Sequence, residues 1–148
     1  MKAINTLIVV LLGALCVAAF SLNAAAAFTD DGIEKHPIDV EFEKKTDADP
    51  STAGMIDACR WAEKEWDKLL NNNYKLLMKK LDKDNQTRLR NSQREWVKFR
   101  DLEFAFNGNF YGEFDGTMYR TVAAGVRVDF VRERALRLGC YLDDLNEK

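Results

Sequence analysis

From residue 52 to residue 81 apolar side chains return every three, four or seven positions: Met55, Cys59, Ala62, Trp66, Leu70, Leu77 and Leu81. That period lines them along one face of a helix about thirty residues long, with Lys64, Lys68, Lys75 and Lys79 on its polar flank. Ser51 or Thr52, directly after Pro50, supplies the N-cap. A polar break, KDNQ, separates this helix from the next, and Asp82 is placed to cap the second one. The second helix is expected to bury Leu89, Trp96, Phe99, Leu102 and Phe106. It ends in NGNFYGEFDG, whose glycines and asparagines permit turn conformations that other residues resist. Thr117 starts a third helix, with Val122, Val126, Phe130, Leu138, Leu142 and Leu145 inside; Arg127, Arg132, Arg134 and Arg137 make it the most basic element. Three helices of similar length with short links predict an all-α, antiparallel, up-down-up bundle over residues 51–146.

The first two helices carry a polar seam. Asp67, Asn71 and Tyr74 share one helix face, as do Gln93, Trp96 and Arg100, with Asp101 beside them. Folded as a hairpin centred near residue 83, the chain sets Asp67 level with Arg100, Asn71 with Trp96 and Tyr74 with Gln93. A charge-assisted Asp67–Arg100 pair flanked by amides fixes helix register more than it adds net stability. On that reading Arg100→Ala costs about 3 kcal/mol, because it strands a carboxylate. The functional alternative is a groove in which Trp96, Tyr74 and Arg100 meet a partner.

The N-terminus follows other rules. One Lys, a short apolar run and the small residues Ala25 and Ala27 fit a signal peptide over residues 1–27, cleaved after Ala27 or one residue earlier. The run is shorter than the roughly 20 residues a bilayer span needs, so no membrane span is expected after cleavage. Residues 28–50 hold both prolines, Pro37 and Pro50, and show no sustained helical period. They are expected to form an extended acidic arm, with the alternation of Ile38, Val40 and Phe42 allowing it to lie in a groove of the bundle.

Composition and charge narrow the chemistry. The 148 residues allow one domain, and 22 basic residues stand against 24 acidic ones. Loss of Lys2 with a leader makes the balance more negative still, which argues against nucleic acid as a partner. A lone histidine, His36, removes His-based triads and multi-histidine metal sites. Neither a phosphate-binding glycine loop after a strand nor a haem attachment motif occurs, so the chain reads as a protein without catalytic residues, cofactor or metal.

The order WDKLLNNNYKLLMKKL, then SQREWVKFRD, with STAGMIDAC upstream and GTMYR downstream, resembles the lysozyme inhibitor LprI-like family of bacterial exported proteins. Asp67, Leu70, Asn71, Tyr74, Leu89, Gln93, Trp96, Arg100 and Asp101 fall on that family's pattern, and Arg134 and Leu138 on its closing one. The resemblance implies a helical envelope protein, periplasmic or secreted. Many members carry a further cysteine after the Arg-Asp pair, and some have one in the arm that bonds the cysteine at position 59; this chain has neither partner. A Cys59–Cys140 bond is disfavoured by geometry, since the first helix rises about 33 Å between Cys59 and Leu81 while a disulfide holds Cα atoms within about 7 Å.

Two functions follow. One is a lysozyme inhibitor acting by occlusion, with Phe110, Tyr111, Glu113 and Asp115 offering aromatic anchors and carboxylates to a basic partner. The other is a periplasmic protein-binding or structural module with no effect on lysozyme.

Overall fold

The computed structural model describes residues 35–147, and the signal-peptide expectation lies outside them. Four helices follow one another: α1 (Pro37–Ala48), α2 (Thr52–Lys80), α3 (Lys83–Gly112) and α4 (Met118–Asn146). Among the described residues the expected three-helix bundle with an extended arm is thus corrected to four helices, because Pro37–Ala48 of the arm form α1.

Side-chain chemistry explains why α1 forms. His36 is its N-cap and accepts a hydrogen bond at Nδ1 from the Ile38 backbone N–H, 3.2 Å away, while Pro37 stands at the first helical position where no N–H is needed. Glu41 pairs with Lys45 one turn later at 3.6 Å. Ile38 and Phe42, four residues apart, pack on the core, while Val40 is 51% exposed. The alternation that suggested an extended segment was one helical pair plus a solvent-facing valine. Asp39 then fixes α1 to α4, accepting from Arg132 Nε at 3.0 Å and Nη2 at 2.8 Å.

Ser51 caps α2 by accepting from Gly54 N at 3.0 Å, and Asp82 caps α3 by accepting from Asn85 N at 2.8 Å. Residue 54 must be glycine, since a Cβ there would collide with the Asp49 carboxylate and carbonyl. Gly116, at φ 100°, carries the left-handed turn between α3 and α4.

The core lies between α2 and α4, which run parallel. Cross-links at Thr52–Thr117, Glu63–Arg127, Asn73–Ala135 and Lys80–Asn146 join residues 62 to 66 apart in sequence, a nearly constant offset along both helices. Cys59, Ala62, Trp66, Leu70 and Leu77 of α2 meet Val128, Val131, Ala135, Leu138 and Leu142 of α4. Trp66, Ala62, Ala135 and Leu138 are wholly buried. The helix between them, α3, runs antiparallel to α4, with Ser92 and Gln93 bonded to Arg134 and the Trp96 ring stacked 5.7 Å from Phe130. It lies mainly on α4 and barely touches α2.

That position revises two expected faces in part. On α3, Leu89 and Trp96 pack on the core as expected, but Phe99, Leu102 and Phe106 are 55%, 71% and 60% exposed, and Arg100, Phe104 and the buried Asn107 take the inward side. On α4, Leu138 and Leu142 are buried and Leu145 packs on the core as expected, Val122 is exposed, and Val128, Val131 and Ala135 complete the buried stripe. Small side chains at Ala62 and Ala135 allow α2 and α4 close approach, so tight packing outweighs the bulk of the competing stripe.

Candidate functional site

Two surfaces collect the residues singled out in the sequence. The first is an open cleft of about 460 Å³ where α2, α3 and α4 diverge, lined by Glu63, Asp67, Arg100, Asp101, Phe104 and Arg127 among others. Asp67 and Arg100 do reach one cleft, yet they are not the ion pair expected across the hairpin. Asp67 accepts from its own helix neighbour, Asn71 Nδ2, at 2.9 Å, and Arg100 donates to the adjacent Asp101, Nη2 to Oδ1 at 2.7 Å. The physical reason is the gap between α2 and α3, whose facing side chains satisfy themselves locally. Arg100 also lies over the rings of Trp96 and Phe104, at 5.6 and 5.9 Å from their centroids.

The cross-helix polar contacts fall elsewhere. Arg127 of α4 forks onto Glu63 of α2, Nε to Oε2 at 3.0 Å and Nη2 to Oε1 at 2.8 Å, with its guanidinium 4.2 Å from the Phe104 centroid. The Glu63 hydrogen bonds raise the Arg127 pKa further, keeping it charged. Gln93 does not meet Tyr74 in a hydrogen bond; its Oε1 accepts from Arg134 Nε at 3.0 Å. Burial lowers the Arg134 pKa, and the groups that receive its hydrogen bonds, Gln93 and Ser92, are neutral. Asn73, buried in α2, donates to the Ala135 carbonyl at 3.0 Å. Sequence reasoning missed Glu63, Asn73 and Arg127 as partners because their signal is an offset of about 64 residues between two helices, which no single-helix period contains.

The second surface is the end of α3 and the turn after it. Phe110 and Tyr111 belong to the last helical turn, Glu113 is its C-cap, and Asp115 lies in the connection to α4. Rings gather there in a chain, with Phe106–Phe110 centroids 5.7 Å apart, Phe110–Phe114 5.2 Å and Phe114–Tyr119 4.7 Å. Phe110 remains 44% exposed and Phe114 42%, and Glu113 and Asp115 are exposed beside them. Such a tip presents braced apolar area beside two exposed carboxylates.

Among the described residues no cluster of three or more His, Cys, Asp or Glu is placed to hold a metal ion, and no helix is long and apolar enough to cross a membrane. Cys59 is buried on α2 and Cys140 exposed on α4, both as free thiols.

The family model for lysozyme inhibitor LprI matches residues 43–138, from the middle of α1 to the core stretch of α4. No curated protein matches the chain. Among solved structures, the chain is similar to an uncharacterized protein from Burkholderia thailandensis, at 31% identity and a TM-score of 0.73. The likeness covers 78% of this chain and 58% of that one, so this chain spans less than two thirds of that protein's length.

Proposed function

Because the chain belongs to the lysozyme inhibitor LprI family, we propose that it is an exported, non-catalytic protein that binds lysozyme in the periplasm or outside the cell and blocks the substrate cleft. The observation that carries this reading is the tip of α3, where the exposed rings of Phe110 and Phe114 stand beside Glu113 and Asp115. Inhibition by occlusion needs a stiff projection whose apolar centre fills part of a cleft while its acidic rim matches a cationic enzyme. The tip has that stiffness, because Phe110, Tyr111, Phe114 and Tyr119 brace one another ring against ring.

The deciding experiment is a turbidity assay of lysozyme on cell walls with purified protein lacking residues 1–27. Dose-dependent protection of the walls is expected, and Phe110→Ser with Glu113→Lys should weaken it at least about tenfold. Absence of protection against every lysozyme type would favour a binding or structural module of the envelope instead. Cell fractionation with the full chain tests the compartment.

A further inference from the structure

One face of α3 is largely uncovered within the fold, with Phe99 meeting the Phe130 ring of α4 at 5.5 Å. Phe99, Leu102, Phe106 and Phe110 recur at spacings of three or four, the period of a single helix stripe, and are 55%, 71%, 60% and 44% exposed. The stripe runs about 17 Å along the helix. With about 200 Å² per large side chain, its exposed part approaches 450 Å². That is the size of the largest apolar patch of a typical monomer, a patch that is often functional, and about half of what each partner contributes to a standard protein interface.

Charge along the same helix says what covers it. Between residues 83 and 100 there are six basic residues and two acidic ones; between residues 101 and 115 there are four acidic residues and no basic one. The sign changes near the middle of the stripe. Arg88 and Arg90 on one half, and Glu103, Glu113 and Asp115 on the other, have no ion-pair partner among the described residues. Arg94 and Lys98 both use Glu95, within their own helix and with side chains 62% and 63% exposed, so they can turn to a new partner.

A surface apolar along its centre, positive on one half and negative on the other is complementary to itself after a two-fold rotation. We propose that α3 pairs with α3 of a second copy, antiparallel and centred near residues 104–105, to make a homodimer. Phe99 then lies against Phe110 of the other copy, Leu102 beside Phe106, and Lys98, one turn before Leu102 at the edge of the stripe, toward Glu113, so each basic half covers an acidic one. A parallel pairing would set like charges together. This proposal rests on α3 alone and stands apart from the lysozyme reading, although the two surfaces share Phe110 and the acidic turn.

Analytical ultracentrifugation of protein lacking residues 1–27, from about 1 to 100 μM, reads the association directly. A dimer is expected within that range. Leu102→Asp changes a side chain that is 71% exposed, so it should leave helicity and melting temperature unchanged while weakening the dimer at least about 100-fold. Lys98→Glu and Glu113→Lys should each weaken it about tenfold, and together restore it to within about threefold of the parent. A monomer at every concentration overturns the proposal, whether the stripe is then covered by residues 1–34 in the full chain or by lysozyme. A dimer that survives Leu102→Asp, or that the double charge reversal does not restore, overturns this face or this orientation.

Discussion

Arg134 of α4 donates through Nε to the Gln93 side-chain oxygen of α3 at 3.0 Å, so a half-buried guanidinium is held between helices by a neutral amide. Its charge is compensated by the dipoles of Gln93 and Ser92 and by the Trp96 ring, 5.8 Å away. Burial lowers its pKa as that environment requires.

Placing a carboxylate at that point should strengthen the α3–α4 contact. Gln93→Glu is expected to stabilise the protein by about 1 kcal/mol at neutral pH, since a charge-assisted bond replaces a dipolar one. Beside Arg134 the new carboxyl would have a folded pKa below its unfolded value. The gain is therefore present above the ordinary Glu range near 4.3 and lost as pH falls through the folded value. Thermal melts at pH 7 and pH 3 check this; an equal gain at both, or a loss at pH 7, refutes it.

The two arginines of the open cleft should differ. Arg127→Ala removes a two-pronged tie between α4 and α2 and leaves Glu63, whose side chain is 25% exposed, without its cation. Arg100→Ala removes a bond to the next residue, Asp101, which is 61% exposed and can turn to water. The Arg127 variant should lose about 1 to 2 kcal/mol and the Arg100 variant less than half of that, mainly lost ring packing. Urea midpoints in the opposite order would restore the seam first expected between Asp67 and Arg100.

Thiol chemistry separates Cys59 from Cys140. Burial, with Asp129 and Glu63 adding to it, raises the Cys59 pKa, whereas Cys140 is exposed. In protein lacking residues 1–27 a thiol reagent at pH 7.5 should titrate one group quickly and the second only after denaturation. The sign of the pH effect follows. Stability from a neutral Cys59 is fully present below the unfolded value near 9.0 and is lost as pH rises from there through the higher folded value. Two fast thiols in the native protein would contradict the packing of α2 on α4.

If the acidic turn guides the protein to a cationic enzyme, inhibition of lysozyme should fall as salt rises, because exposed charges are screened over about 8 to 10 Å at physiological ionic strength. Inhibition constants at about 20 and 200 mM salt should differ several-fold, and Asp115→Asn should reduce that difference. Equal constants would point to an apolar plug formed by Phe110 and Phe114 alone.

The helical class, the starts of the three long helices and the buried face of α2 were legible because a strict period and capping residues at Ser51 and Asp82 say the same thing locally; the end of α3 was not, since NGNFYG, expected as a turn, continues the helix to Gly112. The parallel course of α2 and α4 followed from the up-down-up connection. What local pattern did not contain was rotation. On α4 two apolar stripes compete, and small alanines rather than the bulkier Val122, Val126 and Phe130 decide which packs closely. On α3 Phe99, Leu102 and Phe106 lie outside, because Trp96, Arg100 and Phe104 already fill the side toward α4. The seam residues lie on the expected elements, but their hydrogen bonds depend on how far α3 stands from α2, a tertiary distance that helical spacing leaves open. At α1, Pro37, Pro50 just beyond its end and a brief alternation masked a helix started by His36 and Pro37, whose cap is a ring nitrogen instead of a hydroxyl.

The parallel pairing of α2 and α4 also dictates an order of events. The fully buried core joins residues of α2 to residues of α4 some 64 positions apart, with the whole of α3 between them. As the chain emerges from its N-terminal end, through a ribosome or a translocation pore, α2 has no partner until Val128 to Leu142 have followed. High contact order of this kind slows folding and postpones closure of the core until α4 has followed. A chain arranged in this way remains threadable until α4 emerges.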